Sequence, residues 1–268
     1  MKPNKLALLG VALLLALAAS GCSKLKARDQ LNKGVAAYRN AQFQQAIMHF
    51  KNAVDLDPTL LNARLYLATA YRQQYIPGGD SEDNVQIANQ AISAFEDVLK
   101  MDPNNLTAIS SIAQTYYDMK KFDDAKEFQR RRLKIEPGNP EPYYWIGVID
   151  WAIAYPRAQQ VRKDLNIAYP PDPSKPGILK PIPEKQRAEL EEQNGPVVDE
   201  GIEAIQKAID LKPNDADAMA YMNLLLRQKS EYEKDAEARS DLLKQADDWV
   251  EKALNVKKGV TQGAASGQ

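Results

Sequence analysis

Cys22 and His49 are the side chains of this 268-residue chain best suited to nucleophilic chemistry, and each is the only residue of its type. A thiolate can attack a substrate, and an imidazole near neutral pH can act as the general base that activates it. Cys22 follows directly on an export-type apolar segment, and His49 lies at the edge of an amphipathic helical pattern. Neither position suits an active site, so the sequence predicts no catalytic residues and no enzyme.

The loop around residue 80 holds the groups that come nearest to a ligand-binding motif. Gly78-Gly79 is too short for a phosphate-binding loop, which needs several glycines followed by Lys and Ser or Thr. The acidic run at 80–83 lacks the glycine and the distal glutamate of a helix-loop-helix calcium site. Capping of the next helix by Asp80 or Ser81 explains these residues better. We therefore predict that the protein binds neither a metal nor a cofactor.

The amino-terminal residues have the order of an export signal. Lys2 and Lys5 precede an apolar run at 6–19, which is shorter than the roughly 20 residues that a membrane-spanning helix needs. Small residues then lead to Cys22, and this arrangement resembles the lipobox of bacterial lipoproteins. The resemblance implies cleavage before Cys22 and its acylation, palmitate included. Ser23 follows and not Asp, which in that family implies sorting to the outer membrane.

These features predict three consequences for the start of the chain. A signal peptide occupies 1–21, a lipidated linker occupies 22–28, and the protein is held at the periplasmic face of the outer membrane in a bacterial envelope. The linker contains Lys24, Lys26 and Arg28. These cations either contact anionic lipid head groups or belong to a solvated, slightly helical leader.

One residue pattern recurs along the remainder of the chain, and most of its copies end at a proline. In the clearest copy Ala46 lies twelve positions before Pro58, Phe50 lies eight before, and an acid comes directly before. The proline ends a helix, and the small residue allows a neighbouring helix to approach closely. Pro103 and Pro137 end two successive copies 34 residues apart. The pattern therefore predicts units of two helices each.

Period and residue types together resemble the tetratricopeptide repeat, a helix-turn-helix unit that stacks into a solenoid. The resemblance implies an all-α fold, a right-handed α-solenoid of about five repeats over residues 29–258. A Pro-rich insertion at about 155–196 interrupts the fourth repeat. It is either a flap or docking element, or a surface excursion that costs little loop entropy.

Stop signals within the insertion and at the carboxyl end set two further boundaries. A short helix is expected at 183–193, ended by Asn194-Gly195. The last helix is expected to end at 257–259, where cations and a glycine occur together. Because residues 259–268 are rich in Gly, Ala, Ser and Gln, a disordered tail is predicted there.

In this repeat family the first helix of each unit lines a concave groove, and one position per repeat points into it. That position and its neighbours hold Tyr38, Arg39, Arg72, Tyr117, Tyr144, Trp151 and Arg227. Aromatic and arginine side chains are enriched at binding hot spots because they bury a large area at a small entropy cost. The alternative is that several of them, Trp151 above all, pack against an adjacent repeat or the insertion.

Charge and repeat type together indicate the class of partner. The formal net charge is −1, and no basic stripe suggests nucleic acid as a partner. We therefore expect a non-catalytic, membrane-anchored adaptor that binds another envelope protein or a peptide segment during assembly of an envelope complex. The alternative is a pilotin-like transporter or assembly chaperone for an outer-membrane secretin or a pilus component.

Overall fold

The computed structural model of the protein describes residues 5–167 and 181–265, with side chains over 22–167 and 181–259. Within these ranges no strand occurs, and the predicted all-α fold is confirmed. In chain order the helices are α1 (Lys5–Arg39), α2 (Phe43–Leu56), α3 (Leu61–Gln74), α4 (Glu82–Met101), α5 (Leu106–Asp118), α6 (Phe122–Ile135), α7 (Pro140–Asp164), α8 (Glu184–Leu211), α9 (Ala216–Tyr232) and α10 (Ala236–Ala265).

The helices fall into two units, unit 1 at Met1–Phe128 and unit 2 at Gln129–Gln268. In unit 1, α1 packs on α2, α2 on α3, α3 on α4 and α4 on α5. In unit 2, α7 packs on α8 and α9, α8 on α9, and α9 on α10. The predicted first, second, fourth and fifth repeats thus correspond to the packed pairs α1–α2, α3–α4, α7–α8 and α9–α10. Among the described residues, none of the helices has the length and apolar content to cross a membrane.

Close contact between paired helices is made at glycine. A Cβ atom on Gly34 of α1 would lie 2.5 Å from Cδ1 of Phe50 on α2, and one on Gly147 of α7 would lie 2.6 Å from Cδ1 of Ile205 on α8. Phe50 and Ile205 are fully buried. The two glycines therefore occupy the positions at which the repeat pattern requires a small residue.

The loop that separates α3 from α4 is ordered by one buried amide. Asn84 Nδ2 donates to the carbonyl oxygens of Ile76 and Gly79 at 2.8 and 2.9 Å, and its Oδ1 accepts from the Ile76 N–H at 2.8 Å. Gly78 has a φ of 75°, which suits a residue without a side chain. Ser81 Oγ accepts from the Asn84 N–H, so capping by Ser81 is confirmed.

The predicted helix end at Asn194-Gly195 is wrong, because α8 runs without a break from Glu184 to Leu211. The short helix expected at 183–193 is the first part of α8, and residues 168–180 lie outside the described part. Leu190 on α8 and Ala158 on α7 are each 1% exposed. The helical parts of the insertion therefore belong to the core of unit 2.

Side-chain hydrogen bonds join α7 and α8 close to the proline inside each helix. Pro196 lacks the N–H of a helix interior, and Pro156 has the same effect on α7. Asn194, 1% exposed, donates from Nδ2 to the carbonyl of Ala154 at 3.0 Å. In the reverse direction, Arg157 donates to the carbonyl oxygen of Gln193 at 3.0 Å. Each helix thus supplies a donor to the backbone of the other beside its proline.

Two predictions for the ends of the chain are also corrected. The expected helix end at 257–259 is wrong, because α10 continues to Ala265 and so includes most of the predicted tail. The extension of α10 includes Gly259 and Gly263, each of which costs a helix about 1 kcal/mol relative to alanine. The predicted linker at 22–28 is part of α1, and Ala27 is fully buried. Packing against α2 orders this segment.

Gly147→Ala is expected to lower the free energy of unfolding by about 1–3 kcal/mol, because the new methyl group would press on Ile205 and on the Gly201 carbonyl oxygen 3.1 Å away. Gly195→Ala is the matched control. Gly195 lies inside α8 with open space at its Cβ position, so alanine should stabilise by about 0.5–1 kcal/mol. Urea unfolding measures both. Equal effects would contradict the packing account.

Candidate functional site

In unit 2 four aromatic side chains form one continuous surface on α7 and α9, called here the aromatic surface: Tyr144, Trp151, Tyr155 and Tyr221. Tyr221 of α9 packs edge-on against Tyr144 at 5.5 Å and against Trp151 at 5.8 Å between ring centroids. Trp151 in turn stacks on Tyr155 at 4.8 Å. All four are partly buried. The two site residues predicted on α7 are therefore brought together, with two further rings that the groove rule did not select.

The aromatic surface carries polar groups as well as apolar ring faces. The Trp151 Nε1 atom is buried and has no hydrogen-bond partner. Burial raises the pKa of Tyr221, with a smaller contribution from the charge of Asp217, so its hydroxyl stays protonated at neutral pH. A protonated phenol donates as well as accepts. Such a surface suits a ligand with apolar groups and carbonyl acceptors, as a polypeptide segment has.

In unit 1 the predicted groove tyrosines lie against the start of the following helix. Tyr38 packs edge-on against Phe43 at 5.4 Å, and Tyr117 packs against Phe122 at 5.9 Å between ring centroids. Both tyrosines are partly buried, while Arg39 is exposed at the end of α1. The tyrosines therefore repeat one local contact and leave part of each ring accessible. Whether they bind a partner stays a prediction.

Two predicted groove arginines have acidic partners within their own unit. Arg72 on α3 donates to the Asp118 carboxylate at 3.3 Å and to the Thr115 hydroxyl at 3.2 Å, both on α5. Arg227 on α9 is ion-paired with Asp247 on α10. An arginine already engaged in this way recognises a ligand carboxylate less well than a free one, because its pairing must first be broken. The sequence rule gives the position of each arginine but not its partner.

A buried ion pair fixes the two helices that carry the aromatic surface. Arg162 Nε on α7 donates to Glu231 Oε2 on α9 at 3.0 Å, and a second bond from its Nη2 reaches the same oxygen. Their side chains are 3% and 4% exposed. Sequence reasoning missed this pair because the residues are 69 positions apart and both lie outside the repeat pattern. From sequence, an Arg and a Glu in amphipathic helices are expected at the surface, and only the packed structure shows that they are buried.

His49 and Cys22, the two residues considered for nucleophilic chemistry, lie apart from the aromatic surface in sequence and have few polar contacts. His49 Nδ1 donates to Gln30 Oε1 at 2.8 Å, a contact between α2 and α1. In the described ranges no group of His, Cys, Asp and Glu side chains could hold a metal ion. Cys22 is exposed on α1. These placements give His49 a structural role in the first helical pair.

Comparison with known proteins supports the repeat assignment. Residues 88–147 match the family model described as Tetratricopeptide repeat. Sperm-associated antigen 1 of Rattus norvegicus is 27% identical over 113 residues, and the Mus musculus protein is 26% identical over the same length. The match spans 42% of this chain but only 11% of either relative, so it concerns the repeats alone.

Solved structures share the fold over most of the chain. A crystal structure of MamA protein aligns with a TM-score of 0.56 at 15% identity, covering 88% of this chain and 94% of that one. MamA 41-end from Desulfovibrio magneticus RS-1 aligns with a TM-score of 0.55 at 17% identity, covering 87% and 96%. At this identity the likeness concerns the fold alone. The chain therefore shares an all-α repeat fold with these structures over most of its length, and residues 88–147 within it match the tetratricopeptide repeat model.

Glu231→Gln is expected to lower the free energy of unfolding by about 3 kcal/mol, because it removes the carboxylate that compensates the buried Arg162 charge. Glu191→Gln is the matched control, since Glu191 pairs with Lys234 at 3.1 Å while 44% and 62% of these side chains are exposed. The control should cost less than about 1 kcal/mol. Thermal and urea unfolding measure the loss of unfolding free energy in both variants. Equal losses would show that the Arg162–Glu231 pair contributes little to stability.

Proposed function

We propose that this protein is a non-catalytic adaptor of the bacterial envelope, anchored by a lipid on Cys22, which binds a segment of another envelope protein at the aromatic surface. The observation that carries the proposal is the contiguous set of four partly buried rings on α7 and α9. Repeat scaffolds of this fold bind other proteins, and their specificity lies in the side chains that they present.

The physical basis of this binding is that the rings are already ordered before a ligand arrives. Tyr144, Trp151 and Tyr221 already contact one another, so little rotamer entropy remains to be lost on binding. The buried Arg162–Glu231 pair ties α7 to α9 about three turns further along the two helices. Rigid aromatic anchors of this type provide most of the energy at protein interfaces, and neighbouring contacts mainly exclude water.

The anchoring part of the proposal rests on the amino-terminal sequence. The apolar run at 6–19 leads through small residues to Cys22, the only cysteine, which therefore has no disulfide partner within the chain. Its exposure leaves the thiol accessible to an acyltransferase. Two or more acyl chains on one residue give stable membrane attachment, whereas one chain gives only marginal binding. Ser23 directs such a protein to the outer membrane under the lipoprotein sorting rule.

A pilotin-like role is the second candidate, and the same feature at Ser23 favours it. A pilotin carries a secretin or pilus subunit to the outer membrane, so its partner is that subunit and not a member of a lasting complex. The two roles use the same anchor and the same binding surface. They differ only in the partner that the aromatic surface captures.

Replacement of Tyr144 and Tyr221 together by leucine should weaken capture of the natural partner by about tenfold or more, because the rings and hydroxyls are lost while most apolar volume remains. Arg130→Ala on α6 is the control, since it breaks only the exposed pair with Glu200 and should leave capture unchanged. Capture is measured by photo-crosslinking in cells from a benzoylphenylalanine placed at 155, with thermal unfolding as a check on folding.

The identity of the crosslinked protein separates the two roles. A secretin or pilin subunit supports the pilotin-like role, and another envelope component supports the adaptor. Equal capture by the double-leucine variant and the native chain would show that the aromatic surface does not bind the partner.

Cys22→Ser should abolish metabolic labelling with palmitate and leave an uncleaved precursor, because the acylated thiol is absent. His49→Ala, which removes only the contact with Gln30, should label normally. Labelling is measured by fluorography of the immunoprecipitated protein. Palmitate incorporation that survives the serine substitution contradicts lipidation at Cys22.

A further inference from the structure

The residues directly after Cys22 are held in the folded core of unit 1. Ser23 Oγ donates to the carbonyl oxygen of Leu56 at the end of α2, at 2.6 Å. Ala27, one turn further along α1, is fully buried. An α-helix rises 1.5 Å per residue, so this buried alanine lies only about 7.5 Å along the axis from Cys22. A lipid on Cys22 would therefore be joined to the folded unit with no flexible spacer.

The outward side of the same two turns combines cations with an exposed apolar side chain. Leu25 is 72% exposed, the largest value among the exposed large apolar side chains identified, and Lys24, Lys26 and Arg28 are exposed around it. All four lie within about 9 Å of Cys22 along the helix axis. This distance is close to the Debye length at physiological ionic strength, so the charges would act on a membrane surface at the anchor.

The acidic groups near these cations are already engaged. Asp29 forms an ion pair with Lys33 at 2.7 Å. Asp57 accepts from the Thr59 hydroxyl at 2.6 Å, and that bond lowers its pKa, with smaller contributions from the charges of Lys24 and Arg28. Counting Asp55 and Asp57 as two negative charges against three cations still leaves this end of unit 1 positive.

We propose that residues 23–28 form a lipid-contacting surface that docks the end of the α1–α2 pair on anionic phospholipid, with Leu25 entering the interface and Lys24, Lys26 and Arg28 binding head groups. The inference rests on the proposed lipidation of Cys22, which brings this surface to the membrane. Charge complementarity and continuity with the anchor identify a lipid surface as the occupant. The consequence is an orientation: unit 1 is held end-on at the membrane, with the turn between α1 and α2 pointing away.

The test uses the mature chain, residues 22–268 with Cys22→Ser, so that no acyl chain contributes. Flotation with vesicles of phosphatidylcholine containing one part in three of phosphatidylglycerol measures binding, and vesicles of phosphatidylcholine alone provide the neutral reference. The test variant is Lys24→Glu, Leu25→Ser and Lys26→Glu. The matched control carries the same changes at exposed positions elsewhere, Lys134→Glu, Met48→Ser and Lys207→Glu.

The native sequence should bind the anionic vesicles and not the neutral ones, and its binding should fall as salt rises. Each cation near an anionic surface contributes about fivefold to binding, so the test variant should bind anionic vesicles about twentyfold or more weakly than the chain without these changes. The control variant should keep at least about half of that chain's binding. Equal loss in test and control variants overturns the proposal, as does equal binding to both kinds of vesicle. The dependence of binding on salt is measured on the chain that carries only Cys22→Ser. Misfolding of the test variant therefore cannot hide a negative result.

Failure here is distinguishable from failure of the lipid anchor. Palmitate labelling in cells reports on Cys22 alone, and flotation of the unlipidated chain reports on residues 23–28 alone. A chain that is labelled but does not float with anionic vesicles is lipid-anchored without the docking surface. A chain that floats but is not labelled has the surface without the anchor, and the proposed function then fails while the charge complementarity stands.

Discussion

The close approach of two helices at glycine is the contact on which each unit depends. Gly34 admits the ring of Phe50, and Gly147 admits the side chain of Ile205, so the backbones of a helical pair come near enough to exclude water. The ring contacts of Tyr221 with Trp151 across α7 and α9 exist because α8 lies close beneath α7 and also packs on α9. Packing therefore sets the aromatic surface.

The repeat pattern predicts the helical pairs well because it records a steric requirement. A small residue, a bulky apolar residue and a terminal proline each have one structural purpose, so Ala46, Phe50 and Pro58 place α2 correctly. Boundaries that rest on local propensity alone are less secure. Asn194-Gly195 and the glycine at 259 are stop signals in isolation, yet α8 continues through the first, where Asn194 is buried against α7, and α10 continues through the second. A single sequence contains no record of those long-range contacts.

Some residues of the candidate site could also be predicted from the sequence, and others could not. Its aromatic members could be found from the sequence, since the groove position of a repeat is periodic and Tyr144 and Trp151 lie on one helix. Tyr221 and the ion-pair partners of Arg72 and Arg227 could not, because each depends on which side chain of a different helix lies opposite. The buried Arg162–Glu231 pair is the extreme case, as burial is decided by the whole fold.

The exchange of hydrogen bonds beside the two internal prolines has a consequence for how unit 2 folds. Without Asn194 the backbone of α7 near Pro156 lacks one donor, and without Arg157 the backbone of α8 near Pro196 lacks another. About 40 residues of chain separate Asn194 from Ala154, so this bond forms only after α7 and α8 have come together, and the entropy of closing that loop is lost before the bond can contribute.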